Sequence, residues 1–153
     1  MTRRKAVAAP FGNRIIEHAV MQAGQLLANE NNARIHPRPQ QDILGGLLSA
    51  VGFVQSVIVN RRSAPEWGAS RGVETLIDGH ARVELALSRG EETDIPVTIV
   101  DLSPSEEAAI MTSFDAIGAM AVVDHEKLAP LIATMDPSLQ EFTAVLYAER
   151  KAT

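Results

Sequence analysis

The chain has 153 residues, of which 46% are hydrophobic, which is enough for one domain with a sizeable core and argues against disorder throughout. Its formal net charge of −5 argues against an extended DNA-binding groove, so any contact with DNA would be local, weak and sensitive to salt. The lack of cysteine excludes disulfides, thiolate metal sites and cysteine nucleophiles. With no signal peptide or membrane-spanning run, the sequence predicts a cytoplasmic protein without a membrane partner.

The chain begins with a basic tail and one strand. Residues 1–14 are expected to be a flexible tail. The apolar residues that follow are spaced among polar ones in a way that fits a strand or a helix, and we favour a strand at about 20–27. A loop is expected at 28–40, since Pro37 and Pro39 forbid a helix across it.

A helix and a second strand come next. The helix is predicted over about 40–51, because an apolar stripe on one helical face is formed by Ile43, Leu44, Leu47, Leu48 and Val51. Gly52 stands where a left-handed C-cap is expected. The stretch 53–60 is rich in β-branched residues and predicts a strand. A polar loop at 61–72 then contains Trp67, which we expect to pack back on the sheet.

The second half predicts two more strands and a series of helices. A strand at 73–78 runs into a turn at Gly79 and a helix at 80–89, and a further strand is expected at 94–102. Ser103 begins a capping box with Pro104 and Glu106. Helices are then expected at about 105–114, 116–122, 125–135 and 138–149. This order predicts an α+β fold with a small mixed sheet.

The stretch 76-LIDGHARVELAL-87 has the residue types of a phosphate site. A helix N-terminus offers unpaired N–H groups and partial positive charge, and Gly79 lets a ligand approach the backbone. Arg82 adds a fork of donors and His80 another donor, which suits a triphosphate or a phosphodiester. The structural alternative is that Gly79 is only a turn, Asp78 an N-cap and Arg82 a solvated residue. The spacing of His36 and His80 matches no zinc pattern, so no resident metal is predicted.

Two loops carry the remaining candidate residues. Gln55 and Ser56, between a helix and a strand, could read a base edge or accept a sugar hydroxyl, or they could be ordinary loop residues. Arg34 could meet a phosphate, and Glu30 could coordinate Mg²⁺ or act as a general base. The alternative for this second loop is an Asx-rich turn with no ligand.

Three stretches in this order resemble the N-terminal domain of ParB, the ParB/sulfiredoxin fold: NARIHPRPQQDILGGLLSAVGFVQSVIVN, LIDGHARVELAL and IPVTIVDLSPSEEAAI. The resemblance covers about residues 19–136 and is strongest to the phage and mobile-element branch, whose proteins often occur beside or fused to DNA methyltransferases. It implies a core at 15–102, with flanking helices, and a C-terminal helical extension at 103–153 packed on that core.

The resemblance also implies roles for the candidate residues. The turn 79–82 would match the Gly-Glu-Arg-Arg phosphate box of partition proteins, although His80 and Ala81 depart from it. Residues 55–56 would match their Gln-Pro nucleotide-pocket element, and Arg34 the arginine of their early Asn-Pro-Arg loop. Members of the fold bind or hydrolyse nucleotides, nick DNA or transfer phosphate. Sulfiredoxin activity needs a cysteine where this chain has His80, so that activity is excluded.

Three functions follow, ranked in this order. The first is a nucleotide-binding module acting on CTP, ATP or another NTP in DNA-related processes, with hydrolysis as an open question. The residues predicted to hold the phosphates, together with Mg²⁺, are Arg34, Asp78, Gly79, His80 and Arg82. Gln55 and Ser56 are predicted to hold the base or sugar. The candidates for catalysis are Glu30, Asp78 and His80. The second is a non-enzymatic adaptor that partners a methyltransferase or forms a homodimer. The third is a metal-dependent DNA nickase.

Overall fold

Four strands and five helices make up the chain in the computed structural model, which describes residues 10–151 and side chains as far as 147. The tail predicted at 1–14 therefore falls mostly outside the described residues. The strands are β1 (Ile15–Gln22), β2 (Val57–Asn60), β3 (Thr75–Asp78) and β4 (Asp94–Val100). The helices are α1 (Arg38–Ala50), α2 (His80–Arg89), α3 (Pro104–Ala119), α4 (His125–Ala133) and α5 (Pro137–Lys151). Short 3₁₀ helices lie at Ala23–Gln25 and Pro65–Ser70.

The strands form one mixed sheet in the order β1-β4-β2-β3. β4 pairs antiparallel with β1 and parallel with β2, and β2 pairs antiparallel with β3. One row of partners crosses the whole sheet, in the order Asp78, Ile58, Thr98 and His18. Since Asp78 ends β3, this register places the start of α2 beside the start of β2.

Strand alternation divides the core between the two faces of the sheet. On one face, α2 contributes Val83 and Ala86 to a cluster with the odd-numbered residues of β2 and β4. On the other face, Ile77 and Leu102 pack with Met111 of α3. The buried core is aliphatic, and each valine, leucine or isoleucine side chain removed from water contributes about 1.5–3 kcal/mol. The sheet is therefore held between α2 and α3.

The last two helices, α4 and α5, pack on the rest of the molecule mainly through the contact of α5 with α1. α5 contacts both α1 and α4, and the ring of Phe142 lies directly on Gly46 of α1, where a β-carbon would collide with it. The division into a 15–102 core and a 103–153 extension stays a prediction.

The predicted α+β fold with a small mixed sheet and flanking helices is confirmed, and so is the order of its strands and first two helices. α2 has the predicted bounds, Gly52 has the expected positive φ of 95°, and Ser103 and Glu106 form the predicted capping box. Trp67 is held against the protein, since its Nε1 donates to the carbonyl of Leu102, just past the end of β4, at 2.9 Å.

Four local predictions were wrong. The first strand is Ile15–Gln22 and not 20–27, because an edge strand with mostly exposed side chains carries no clear apolar period. β2 begins only at Val57, since the residues after Gly52 do not pair with a neighbouring strand. Pro39 lies in the first turn of α1, where its missing N–H costs nothing, so the prolines do not exclude a helix there. The helices expected at 105–114 and 116–122 are the single helix α3.

Candidate functional site

The turn between β3 and α2 is tightly built around a glycine. Gly79 is the N-cap residue of α2 and has φ +98°, a left-handed conformation that glycine adopts without a steric penalty. A β-carbon at this position would lie 2.6 Å from Cγ1 of Val57. Backbone conformation and space both require glycine, so the turn is packed directly on the start of β2.

The N-terminus of α2 has no side-chain cap. Its N-cap is Gly79, so the structural alternative in which Asp78 caps the helix is wrong. By contrast, Ser103 and Asp124 cap α3 and α4 with their side chains. The first-turn N–H groups of a helix have no intrahelical acceptor, and a helix start carries partial positive charge. These groups are suitable donors for an acceptor from outside the helix, and binding of such an acceptor stays a prediction.

Asp78 joins two of the predicted arginines. Its Oδ2 accepts from Nη2 of Arg82 at 3.2 Å, and its Oδ1 lies 3.8 Å from Nη1 of Arg34. Arg34 also pairs with Asp115 of α3 at 2.6 Å. The Arg82 side chain is only 13% exposed, so the alternative of a solvated surface arginine is wrong. The structure thus brings Arg34, Asp78 and Arg82 into one ion-pair cluster beside Gly79.

Gln55 and Ser56 meet this cluster through their main chain. Nη1 of Arg82 donates to the Gln55 carbonyl at 2.6 Å and to the Ser56 carbonyl at 3.3 Å. The Ser56 hydroxyl lies 2.6 Å from that of Thr98, which lies 3.1 Å from Nδ1 of His18. The residues before β2 are therefore tied to α2 by Arg82 and to the sheet by Ser56.

His80 is buried and faces the loop that carries Arg34. It is 6% exposed, and its Nε2 accepts from the backbone N–H of Asn29 at 3.1 Å. Burial lowers the pKa of His80, and the electrostatic effects of Arg34 and His36 lower it further. A neutral ring that accepts at Nε2 carries its proton on Nδ1. A phosphate contact by His80 stays a prediction, and only Nδ1–H remains to make it.

Glu30 belongs to a different cluster. Its carboxylate lies 3.1 Å from Nη1 of Arg62, which is 1% exposed. Nε and Nη2 of Arg62 donate to the two oxygens of Glu107, at 3.1 and 2.9 Å, and the guanidinium stacks 4.1 Å from the ring centroid of Trp67. A hydrogen bond from its own backbone N–H lowers the pKa of Glu30, with a contribution from Arg62. An anionic carboxylate with a lowered pKa is a weak general base, and the catalytic role of Glu30 stays a prediction.

Sequence reasoning missed Asn29 beside His80 and Asp115 beside Arg34. It also missed Arg62, Glu107 and Asn60, whose Nδ2 donates to Glu107 at 3.1 Å. Asn29 is buried, and its Nδ2 has no hydrogen-bond partner among the described residues. Arg62 directly follows another arginine in a polar stretch, and such a stretch is typical of a solvated loop. The one available signal was Glu107, an acid on an otherwise apolar face early in α3.

In the part of the chain that the structure describes, no group of three or more histidine, aspartate or glutamate residues is arranged to hold a metal ion. Within the same residues, no helix is both long enough and apolar enough to cross a bilayer.

Comparison with known proteins identifies the fold. No protein-family model and no curated protein sequence matches the chain. Among solved structures, the C-terminally truncated chromosome-partitioning protein ParB from Caulobacter crescentus, complexed with CTP-γ-S, is similar over 71% of this chain and 55% of its own, with a TM-score of 0.51 and 16% identity. A Pnob8-like ParB-N domain is similar over 92% of this chain and 52% of its own, with a TM-score of 0.51 and 13% identity. The chain has the ParB N-terminal fold.

The resemblance read from the sequence is thereby confirmed at the level of the fold. The chain spans about half the length of the two solved ParB chains. At these identities the likeness to ParB is one of fold alone.

Proposed function

We propose that this ParB-like chain is a nucleotide-binding module acting in DNA-related processes. The observation that carries the proposal is the uncapped N-terminus of α2, with Arg34 and Arg82 held beside it by Asp78. Helix N–H groups and arginine forks are the donors that phosphates prefer. The ParB structure from Caulobacter crescentus holds CTP-γ-S, which supports a nucleoside triphosphate as the ligand class.

Two clefts give room for the parts of a nucleotide. An apolar groove of about 260 Å³ is lined by Leu48, Val51, Phe53 and Gln55 and reaches Arg82. A second cleft of about 390 Å³ lies between the 31–34 loop and α3 and is lined by Arg34. The groove suits a base or sugar, and the arginines joined through Asp78 suit phosphates. An apolar wall next to an anion site favours a nucleotide over a free phosphate.

Binding is better supported than hydrolysis. Both oxygens of Asp78 already face arginines, so we expect Mg²⁺ to arrive as the counter-ion of the triphosphate and not as a resident metal. One oxygen of Glu30 pairs with Arg62, and Nε2 of His80 accepts from Asn29, so a role for either side chain in orienting water stays a prediction. Assignment to a phage or mobile-element context and a contact with DNA stay predictions.

Calorimetric titration with CTP, ATP and GTP, each with Mg²⁺, tests the proposal. We expect one nucleotide to bind the wild type. Loss of a charge-assisted contact of about 1.5–3 kcal/mol in Arg34→Ala should weaken it roughly 10- to 150-fold. Arg82→Ala should weaken it further, because the 55–56 carbonyls also lose their donor. Arg89→Ala removes the same side chain from the far end of α2 and should leave affinity unchanged.

Two results would contradict the proposal. The first is a wild-type protein that binds none of the three nucleotides. The second is a folded Arg34→Ala protein with the affinity of the Arg89→Ala control. Circular dichroism of each variant separates loss of the site from loss of the fold.

An adaptor function has an observation of its own. Large apolar side chains are exposed on the C-terminal helices and on the segment between α3 and α4: Phe114, Ile117, Met120, Val122, Leu131, Val145 and Leu146. Such faces are common where proteins associate. A methyltransferase or a second copy of the chain would be the partner under this alternative. A mass that rises with concentration would support it, and a monomer over a hundredfold range would not. The nickase alternative stays a prediction.

A further inference from the structure

The loop that carries Arg34 is held against α2 by one buried hydrogen bond. The backbone N–H of Asn29 donates to Nε2 of His80 at 3.1 Å, and the two residues are 5% and 6% exposed. The side-chain oxygen Oδ1 of Asn29 accepts from the backbone N–H of Asn31 at 2.9 Å. The backbone carbonyl of Asn29 accepts from the backbone N–H of Asn32 at 3.2 Å. Asn32 Oδ1 accepts in turn from the N–H of Arg34 at 3.3 Å. A continuous series of hydrogen bonds thus leads from His80 to Arg34.

The surroundings of His80 favour the ring state that this contact needs. An imidazole can accept at Nε2 only when it is neutral. The charged and titratable groups around it are Arg34 and His36 from the loop, Glu84 from α2 and Asp78 from β3. Burial and the electrostatic effects of Arg34 and His36 disfavour a second ring proton and outweigh the two acids. The acceptor at Nε2 is therefore maintained by the site itself.

We propose that His80 is a positioning residue, which holds the 29–34 loop on α2 through Asn29 and acts on the ligand only through Arg34. This deepens the proposed nucleotide function and rests on it. The competing role is direct donation from His80 to a phosphate. The two roles differ in which substitution restores binding and in whether the effects of His80 and Arg34 are independent.

A double-mutant cycle separates the two roles. His80→Gln keeps an acceptor near the position of Nε2, and His80→Leu removes it. We expect nucleotide affinity within about threefold of the wild type for His80→Gln and a loss of roughly tenfold for His80→Leu. We expect the His80→Leu/Arg34→Ala protein to bind no more weakly than Arg34→Ala alone. Losses that multiply, or equal losses for Gln and Leu, would overturn the positioning role.

Amide hydrogen exchange of the ligand-free protein tests the loop contact independently. The Asn29 amide should be protected in the wild type and in His80→Gln, and should exchange at least about tenfold faster in His80→Leu. The Val97 amide, in the centre of the sheet, should keep its protection in all three and so reports an intact fold. Equal exchange of Asn29 in all three proteins would refute the contact. A wild type that binds no nucleotide but shows the expected exchange pattern would defeat the proposed function and leave the loop-holding role of His80 standing.

Discussion

Replacing Gly79 with alanine should destabilise the protein by a sum of two separable costs. At φ +98° a non-glycine residue costs about 1–2 kcal/mol. The added β-carbon would also lie 2.6 Å from Val57 Cγ1 and 3.0 Å from Val57 Cβ, both in the core. Overpacking of this kind costs about 1–3 kcal/mol more. The expected total for Gly79→Ala is therefore about 2–5 kcal/mol.

Gly52 provides a matched control for the backbone cost. Its φ is +95°, close to that of Gly79, but nothing lies within 4 Å of the position of an added β-carbon. Gly52→Ala should therefore cost only about 1–2 kcal/mol. Urea unfolding gives both free energies from the shift in midpoint at constant slope. Equal losses in the two variants would show that Val57 yields without cost, and the reasoning about a tightly packed turn would be refuted.

Three further predictions concern stability. Glu107→Gln leaves the charge of buried Arg62 partly uncompensated and should cost about 3–5 kcal/mol in urea unfolding. Glu17→Gln, in the exposed pair of Glu17 with Arg61, should cost only about 0–1 kcal/mol, and equal losses would argue against a buried pair. The pKa of His80 is lowered in the folded state, so the unfolded chain takes up its proton first. The stability that the neutral ring contributes is full above the ordinary histidine pKa of about 6.5 and falls as the pH drops toward the lower folded pKa. His80→Gln should lack this part of the pH dependence in unfolding midpoints between pH 5 and about 7.5, and an unchanged profile would exclude His80 as its source. Ser103→Ala removes the side-chain cap of α3 and should cost about 1 kcal/mol, which a thermal melt can detect; no change would mean that the cap is replaced by water.

Local patterns predicted those parts of the fold that local physics determines. The bounds of α2 follow from Gly79 and an apolar stripe, and the start of α3 follows from the Ser103 capping box. β1 was misplaced because an edge strand exposes most of its side chains and so shows no strict period. The prediction at Pro39 was wrong because the effect of a proline depends on its position in a helix, and Pro39 lies in the first turn.

The site could be predicted only in part, because its partners come from distant parts of the chain. The types at Asp78, Gly79 and Arg82 indicated an anion site, and their proximity to each other follows from one local turn. The contact between Asn29 and His80 joins residues 51 positions apart, and that between Arg62 and Glu107 joins residues 45 apart. Such pairs depend on the order of the strands, which spacing in sequence does not encode.

The place of β4 in the sheet has a consequence for how the chain folds. β4 is the only described strand that pairs with β1, and the two meet through residues such as His18 and Thr98, which are 80 positions apart. Closing so long a loop costs entropy before any contact compensates for it. During synthesis on a ribosome, β1 cannot pair until residues 94–100 have left the exit tunnel. Until then the unpaired backbone groups of β1 can pair with strands of other protein chains. We therefore expect folding to be slow for a domain of this size and sensitive to truncation before residue 100.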